Sequence, residues 1–212
     1  MTSPLLWYLN RGTGIVLLVV FTLSVVLGVL ATGRGVSPLW PRFVTQGLHR
    51  TLAVLSVLLL TAHALSAVVD EYVDIRWWQA VVPIGATYQP LWLGLGTLAL
   101  DLTLVVVATS LARGRVPHRA WFLVHLTTYA AWAAGVVHGI GIGTDAARGW
   151  MVAITAACVA AVAIAGISRA VAVTRGRRER RNDPADGPQT GVGDVQEVRI
   201  EDLFPTTTGG TP

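Results

Sequence analysis

The sequence contains no lysine, a single cysteine and few charges of either sign. Charged residues make up 13% of the chain, against about 25% in an ordinary soluble domain. That shortage excludes most soluble enzymes, and the apolar content excludes a disordered chain. The single Cys158 lies inside an apolar run, so a disulfide within the chain is impossible. A cysteine-ligated zinc site or an iron–sulfur cluster likewise has no ligand set. The pI is near 10.0, but all 16 basic residues are Arg, placed at the ends of apolar runs and in one tail. Basic residues so placed mark membrane topology, not a phosphate-binding face, and nucleic acid is excluded as a partner.

What the chain does contain is apolar: 53% of 212 residues, with a mean hydropathy of +0.58. Residues 12–33, 51–69, 120–144 and 149–168 carry no charge, and 91–112 is interrupted only by Asp101. A crossing takes about 20 apolar residues as helix. The pattern therefore predicts an all-α polytopic bundle in lipid, with helices near 13–31, 47–69, 91–112, 119–141 and 149–172. The first is read as an anchor, because it exceeds a signal-peptide core of about 7–15 residues. The residues after Ala31 (Thr32, Gly33, Arg34) also make a poor cleavage site. Between the second and third helices, Pro83, Gly85 and Pro90 preclude a crossing. Ile75, Trp77, Trp78, Val81 and Val82 point instead to a short interfacial helix. The bundle occupies 1–174. Residues 175–212 are polybasic, then rich in Asp, Gly, Pro and Thr, which predicts a disordered cytoplasmic tail holding the mixed segment VRIEDLF at 198–204.

Arginine alternates sides. Arg34, Arg42 and Arg50 flank the first connection, Arg113, Arg115 and Arg119 the third, and Arg175, Arg177, Arg178, Arg180 and Arg181 the exit. The second connection is acidic, with Asp70, Glu71 and Asp74. The positive-inside rule then places the N-terminus outside the cell membrane and the C-terminus in the cytoplasm. Trp7, Trp40, Trp77, Trp78, Trp92, Trp121 and Trp150 fall near predicted helix ends, where an amphipathic ring is favoured, and only Trp132 sits mid-span.

Four of the five histidines lie inside predicted spans: His49 and His63 on the second helix, His125 and His138 on the fourth. Ionisable groups are costly in hydrocarbon and mark function there. The 14- and 13-residue separations place the members of each pair roughly 20 Å apart along their helices. One helix lies between these two, so they run parallel. His49 then shares a depth with His125 on the cytoplasmic side, and His63 with His138 on the outer side. Fourteen steps keep one helix face to within about 40°, whereas thirteen miss by about 140°. Alignment on the fourth helix therefore needs overwinding, a kink near Gly135, or different side-chain reach. Two levels of two imidazoles suit two stacked b-type haems with bis-His ligation. Ala62, Ala64, Ala67, Ala130, Ala131, Ala133, Ala134 and Gly135 leave room for a macrocycle and equally allow close helix packing. A Zn²⁺ or Cu⁺ transport site would instead gather three or four ligands at one depth.

The chain resembles the ferric reductase-like transmembrane domain family, which includes the membrane cores of ferric reductases and NADPH oxidases and the haem-binding membrane subunit of periplasmic methionine sulfoxide reductase systems. The resemblance runs from about 12 to 145. It is carried by LHRTLAVLSVLLLTAHAL (48–65), PLWLGLGTLALDLTLVVVATSLARGRV (90–116) and WFLVHLTTYAAWAAGVVHGIGIGTD (121–145). It implies that His49 with His125 ligates an inner haem and His63 with His138 an outer one. Electrons would pass through both haems to an acceptor outside. The family core often has six spans where five are counted here. No Gly-rich dinucleotide fingerprint follows the fifth helix, so the implied donor is a separate reductase, a flavoprotein or a quinol. Arg50, beside His49, is the residue singled out for the inner propionates. Arg113, Arg115 and Arg119 are further inner candidates, and Arg76 and Arg148 their outer equivalents. Asp101 reads as a proton relay or as a hydrogen-bond partner of a neighbouring Thr or Ser. His118 reads as interfacial. Two other readings stand beside this one: a non-catalytic membrane anchor or regulatory subunit with structural histidines, and a six-helix cytochrome of the ascorbate-dependent type.

Overall fold

The computed structural model describes residues 4–31, 42–70 and 75–182. Arg34, Trp40, Glu71, Asp74 and everything beyond Asn182, including VRIEDLF, lie outside the described residues. Within them the fold is all-helical: α1 (Pro4–Ala31), α2 (Arg42–Val69), a short 3-10 helix (Trp77–Ala80), α3 (Pro90–Leu111), α4 (His118–Ile142) and α5 (Gly149–Asn182). All five long helices are apolar and long enough to cross a membrane. The described residues up to Ala172 form one compact unit, and those from Val173 another.

Three helices are longer than the charge pattern predicts. α2 starts at Arg42, not near residue 47. α1 starts at Pro4, not near residue 13. Proline is well placed at a first helical position, where its missing N–H is no loss. The polar Asn10 and Arg11 do not end the helix, because both find partners on other elements. α5 runs to Asn182, so the polybasic stretch from Arg175 is helical where a tail was predicted to begin. Arginine is a good helix former, and cations suit a helix C-terminus.

The helices pack as two antiparallel pairs. α1 lies along α2, α3 lies along α4, and α1 touches α4 over a shorter stretch. No comparable packing joins α2 to α4. At mid-depth the Trp132 indole N–H donates to Thr22 Oγ1 at 2.9 Å, tying α4 to α1. This hydrogen bond gives the one mid-span tryptophan its partner.

The α2–α3 connection is a folded cap, and the expected interfacial helix shrinks to a single 3-10 turn within it. Its anchor is Gln79, 2% exposed. The Gln79 side-chain carbonyl accepts from the Arg76 backbone N–H. Its backbone carbonyl accepts from the Thr97 hydroxyl at 2.7 Å. On α3, Gly94 leaves space for the Pro83 carbonyl, which would lie 2.3 Å from a Cβ placed there. Thr97→Val would strand a buried carbonyl, a loss of about 1–3 kcal/mol. Thermal unfolding in detergent should show a lower midpoint for this variant, with helix content retained.

Candidate functional site

The four intramembrane histidines meet in two pairs across the gap between α2 and α4. The ring centres of His49 and His125 are 6.3 Å apart with planes at 70°. Those of His63 and His138 are also 6.3 Å apart, with planes at 87°. Levels 14 residues apart on α2 are separated by about 21 Å. α4 runs unbroken through both of its histidines. Its two rings are supported differently.

Three rings are oriented by helix carbonyls. The Nδ1–H of His63 donates to the Asn10 carbonyl at 2.9 Å. That of His49 donates to the Ser24 carbonyl at 2.9 Å, and that of His138 to the Trp92 carbonyl at 2.7 Å. A carbonyl can only accept, so Nδ1 carries the proton and a neutral ring keeps its lone pair on Nε2.

In each case the residue four positions after the accepting carbonyl is glycine: Gly14, Gly28 and Gly96. A helix carbonyl already accepts from the N–H four residues on, and that residue's side chain leans back over it. Glycine leaves the second lone pair open. A Cβ at Gly14 would sit 3.0 Å from His63 Cε1, one at Gly28 3.4 Å from His49 Cε1, and one at Gly96 2.6 Å from His138. Asn10 holds His63 a second time, its side-chain amide donating to the His63 carbonyl at 2.8 Å.

His125 lacks this support. Its Nδ1 is buried without a partner among the described residues. Its ring stacks instead on Trp121, at 4.9 Å and 23°. Trp121 in turn stacks on the exposed His118 at 5.7 Å and carries the Arg113 guanidinium 4.2 Å above it. The 13 residues from His138 back to His125, counted along α3 from Gly96, lead to Thr109. There the side chain is not hydrogen, and the Thr109 hydroxyl itself donates to the carbonyls of Val105 and Val106.

The spacing within the pairs restricts their chemistry. A direct N–H···N bond of about 2.9 Å would draw two imidazole centres to about 5.2 Å. Two metal–nitrogen bonds of about 2.0–2.1 Å each would set them about 6.4 Å apart. The observed 6.3 Å matches the second case. Among the described residues no cluster of three or more His, Cys, Asp or Glu forms. Both pairs are therefore too far apart for a direct hydrogen bond and leave space for one atom between the two rings.

A cavity of about 370 Å³ runs from the His63–His138 pair towards mid-depth, lined by His63, His138, Ala64, Ala131, Gly135 and Trp132 among others. The alanines divide by role. Ala131 and Ala134 are buried, whereas Ala130 and Ala133 are exposed. At the cavity's outer mouth stands Arg11, paired with Asp145, which also binds Arg148 at 2.8 Å. Arg11 lies over the Trp7 ring as well. Sequence reasoning passed over Arg11 because it precedes the uncharged run. Its signal was being the one charge within the first 33 residues. Of the expected arginines, Arg50 and Arg76 are exposed. Neither Arg50 nor Asp101 has a hydrogen bond or ion pair among the described residues, and Asp101 does not line the cavity.

The chain belongs to a family described as a domain of unknown function, DUF8596, which matches residues 5–145. No curated protein and no solved structure matches it. The matched stretch holds both histidine pairs, the three glycines and the Arg11–Asp145 pair, and it stops short of α5.

Gly96→Ala should overpack the His138 ring, a cost of about 1–3 kcal/mol. Gly166→Ala on α5, with open space around it, should be neutral or stabilising by up to about 1 kcal/mol. Parallel thermal unfolding of the two variants checks the contrast, and the His138 ring ¹⁵N shifts should move only in the first.

Proposed function

We propose that the chain is a haem-binding membrane protein of ferric reductase-like kind that carries electrons across the bilayer. His49 and His125 ligate an inner b-type haem, and His63 and His138 an outer one. The observation that carries this reading is the equal 6.3 Å separation of both pairs. It is too wide for a hydrogen bond and right for an ion between two rings. Structural histidines in lipid would be expected to satisfy each other, because unpaired polar groups are costly there. Bound haem supplies a centre that takes up and releases one electron at a time.

The chain's own residues do the rest. Carbonyls of Asn10, Ser24 and Trp92 fix the rings and leave Nε2 for iron, which raises ligand basicity. The cavity wall at the outer level is mostly apolar, which disfavours water beside the rings. Arg11 stands where it could meet a propionate, with Asp145 balancing its charge. At the inner end Arg50 remains the propionate candidate by its place beside His49.

The arginine-rich ends of α2, α3 and α4 favour an inner face in the cytoplasm, with the N-terminus outside the cell membrane. Electrons then enter on the cytoplasmic side from a flavoprotein, reductase or quinol, and the acceptor lies outside. The rival reading is a non-catalytic anchor or regulatory subunit with structural histidines. Purified, reduced protein should show a sharp α-band and two haems per chain. His63→Ala or His138→Ala should each leave about half the haem. A colourless protein, or unchanged haem content in these variants, would refute the assignment.

A further inference from the structure

Resting on that haem reading, we infer that the two levels are unequal: the inner, His49–His125 level has the more positive reduction potential and holds its haem less firmly. Hydrogen bonding to the far nitrogen of a ligating imidazole makes the ring a stronger donor, and a stronger donor favours ferric iron. At the outer level both rings have such a bond, to the carbonyls of Asn10 and Trp92. At the inner level only His49 has one, to Ser24. The Nδ1 of His125 is buried and has no acceptor among the described residues.

Fixed charge acts in the same direction. Ferric haem carries one more positive charge than ferrous, so a nearby cation favours the reduced form and a carboxylate the oxidised one. The inner level has the Arg113 guanidinium stacked on Trp121, which is stacked on His125. At the outer level the cations Arg11 and Arg148 are both paired with Asp145, and Asp70 is a second carboxylate on the cavity wall. Donor strength and charge are independent observations with the same sign.

The test is an optical redox titration of the full chain in nanodiscs. Two components are expected. The more positive one should disappear in His49→Ala, and the more negative one in His63→Ala. Arg113→Gln should lower the potential of the more positive component alone while both haems are retained, which assigns the levels even where a histidine variant loses all its haem. On dilution into detergent, the more positive component should be lost first. A single shared potential would overturn the inference, as would loss of the more positive component in His63→Ala or an Arg113→Gln shift in the more negative one. Two haems in the reversed order would leave the haem assignment standing, whereas a protein without haem would remove both.

Discussion

A neutral imidazole held in hydrocarbon has one N–H that must find an acceptor and one lone pair that it can offer to something else. Lipid supplies no acceptor, and at the depth of these rings few polar side chains are available. The acceptors used are carbonyls that the helices already carry, each with a spare lone pair on its outer side. That lone pair is reachable only where the side chain one turn further on is missing. The Gly14–His63, Gly28–His49 and Gly96–His138 contacts each meet this condition. They also determine the packing, since a ring cannot reach a neighbouring helix's carbonyl unless the two helices lie close. The tight α1–α2 and α3–α4 pairs are the helix-scale form of three side-chain hydrogen bonds.

Holding each ring by its far nitrogen has a second effect. The rings are oriented across the gap between α2 and α4, where the backbones do not pack closely. The gap is kept from collapsing by the Trp132–Thr22 hydrogen bond between α4 and α1 and by the Gln79 cap joined to α3 through Thr97. Packing density close to that of an organic crystal is the normal state of a protein interior. A cavity beside two inward-facing histidines is therefore a departure that these fixed contacts sustain, and its walls are small or apolar where the rings meet.

The spans, the pairing of the histidines and their shared depths were legible in the sequence, because each follows from charge spacing and the rise of a helix. The start of α1 was not. Asn10 and Arg11 read as a polar boundary until their partners, His63 and Asp145, were known, and those lie 53 and 134 residues away along the chain. The cap also escaped notice, because burial of Gln79 depends on Thr97 and on the turn at Pro83. The glycine supports could have been found: Gly14 and Gly28 repeat the 14-residue interval of His49 and His63. Glycine in an apolar helix reads first as a packing residue, and only the neighbouring ring distinguishes the two uses. Arg50 was drawn from adjacency alone, and successive residues on a helix point about 100° apart.

The same intervals account for the one unsupported ring. Two contacts between antiparallel helices fall on one interface only if both helices return to nearly the same face over the distance between them. On α1 and α2 the interval is 14 residues for glycines and histidines alike, a drift of about 40°, so the carbonyl–glycine support repeats at both levels. On α4 the interval is 13, a drift of about 140°. A histidine at 138 that faces α3 therefore forces the one at 125 away from it. The matching position on α3 is Thr109, whose hydroxyl takes the local carbonyls for itself. The orphaned Nδ1 of His125 and its reliance on Trp121 stacking follow from the difference of a single residue in spacing. That difference makes the two histidine levels alike in separation and unlike in support.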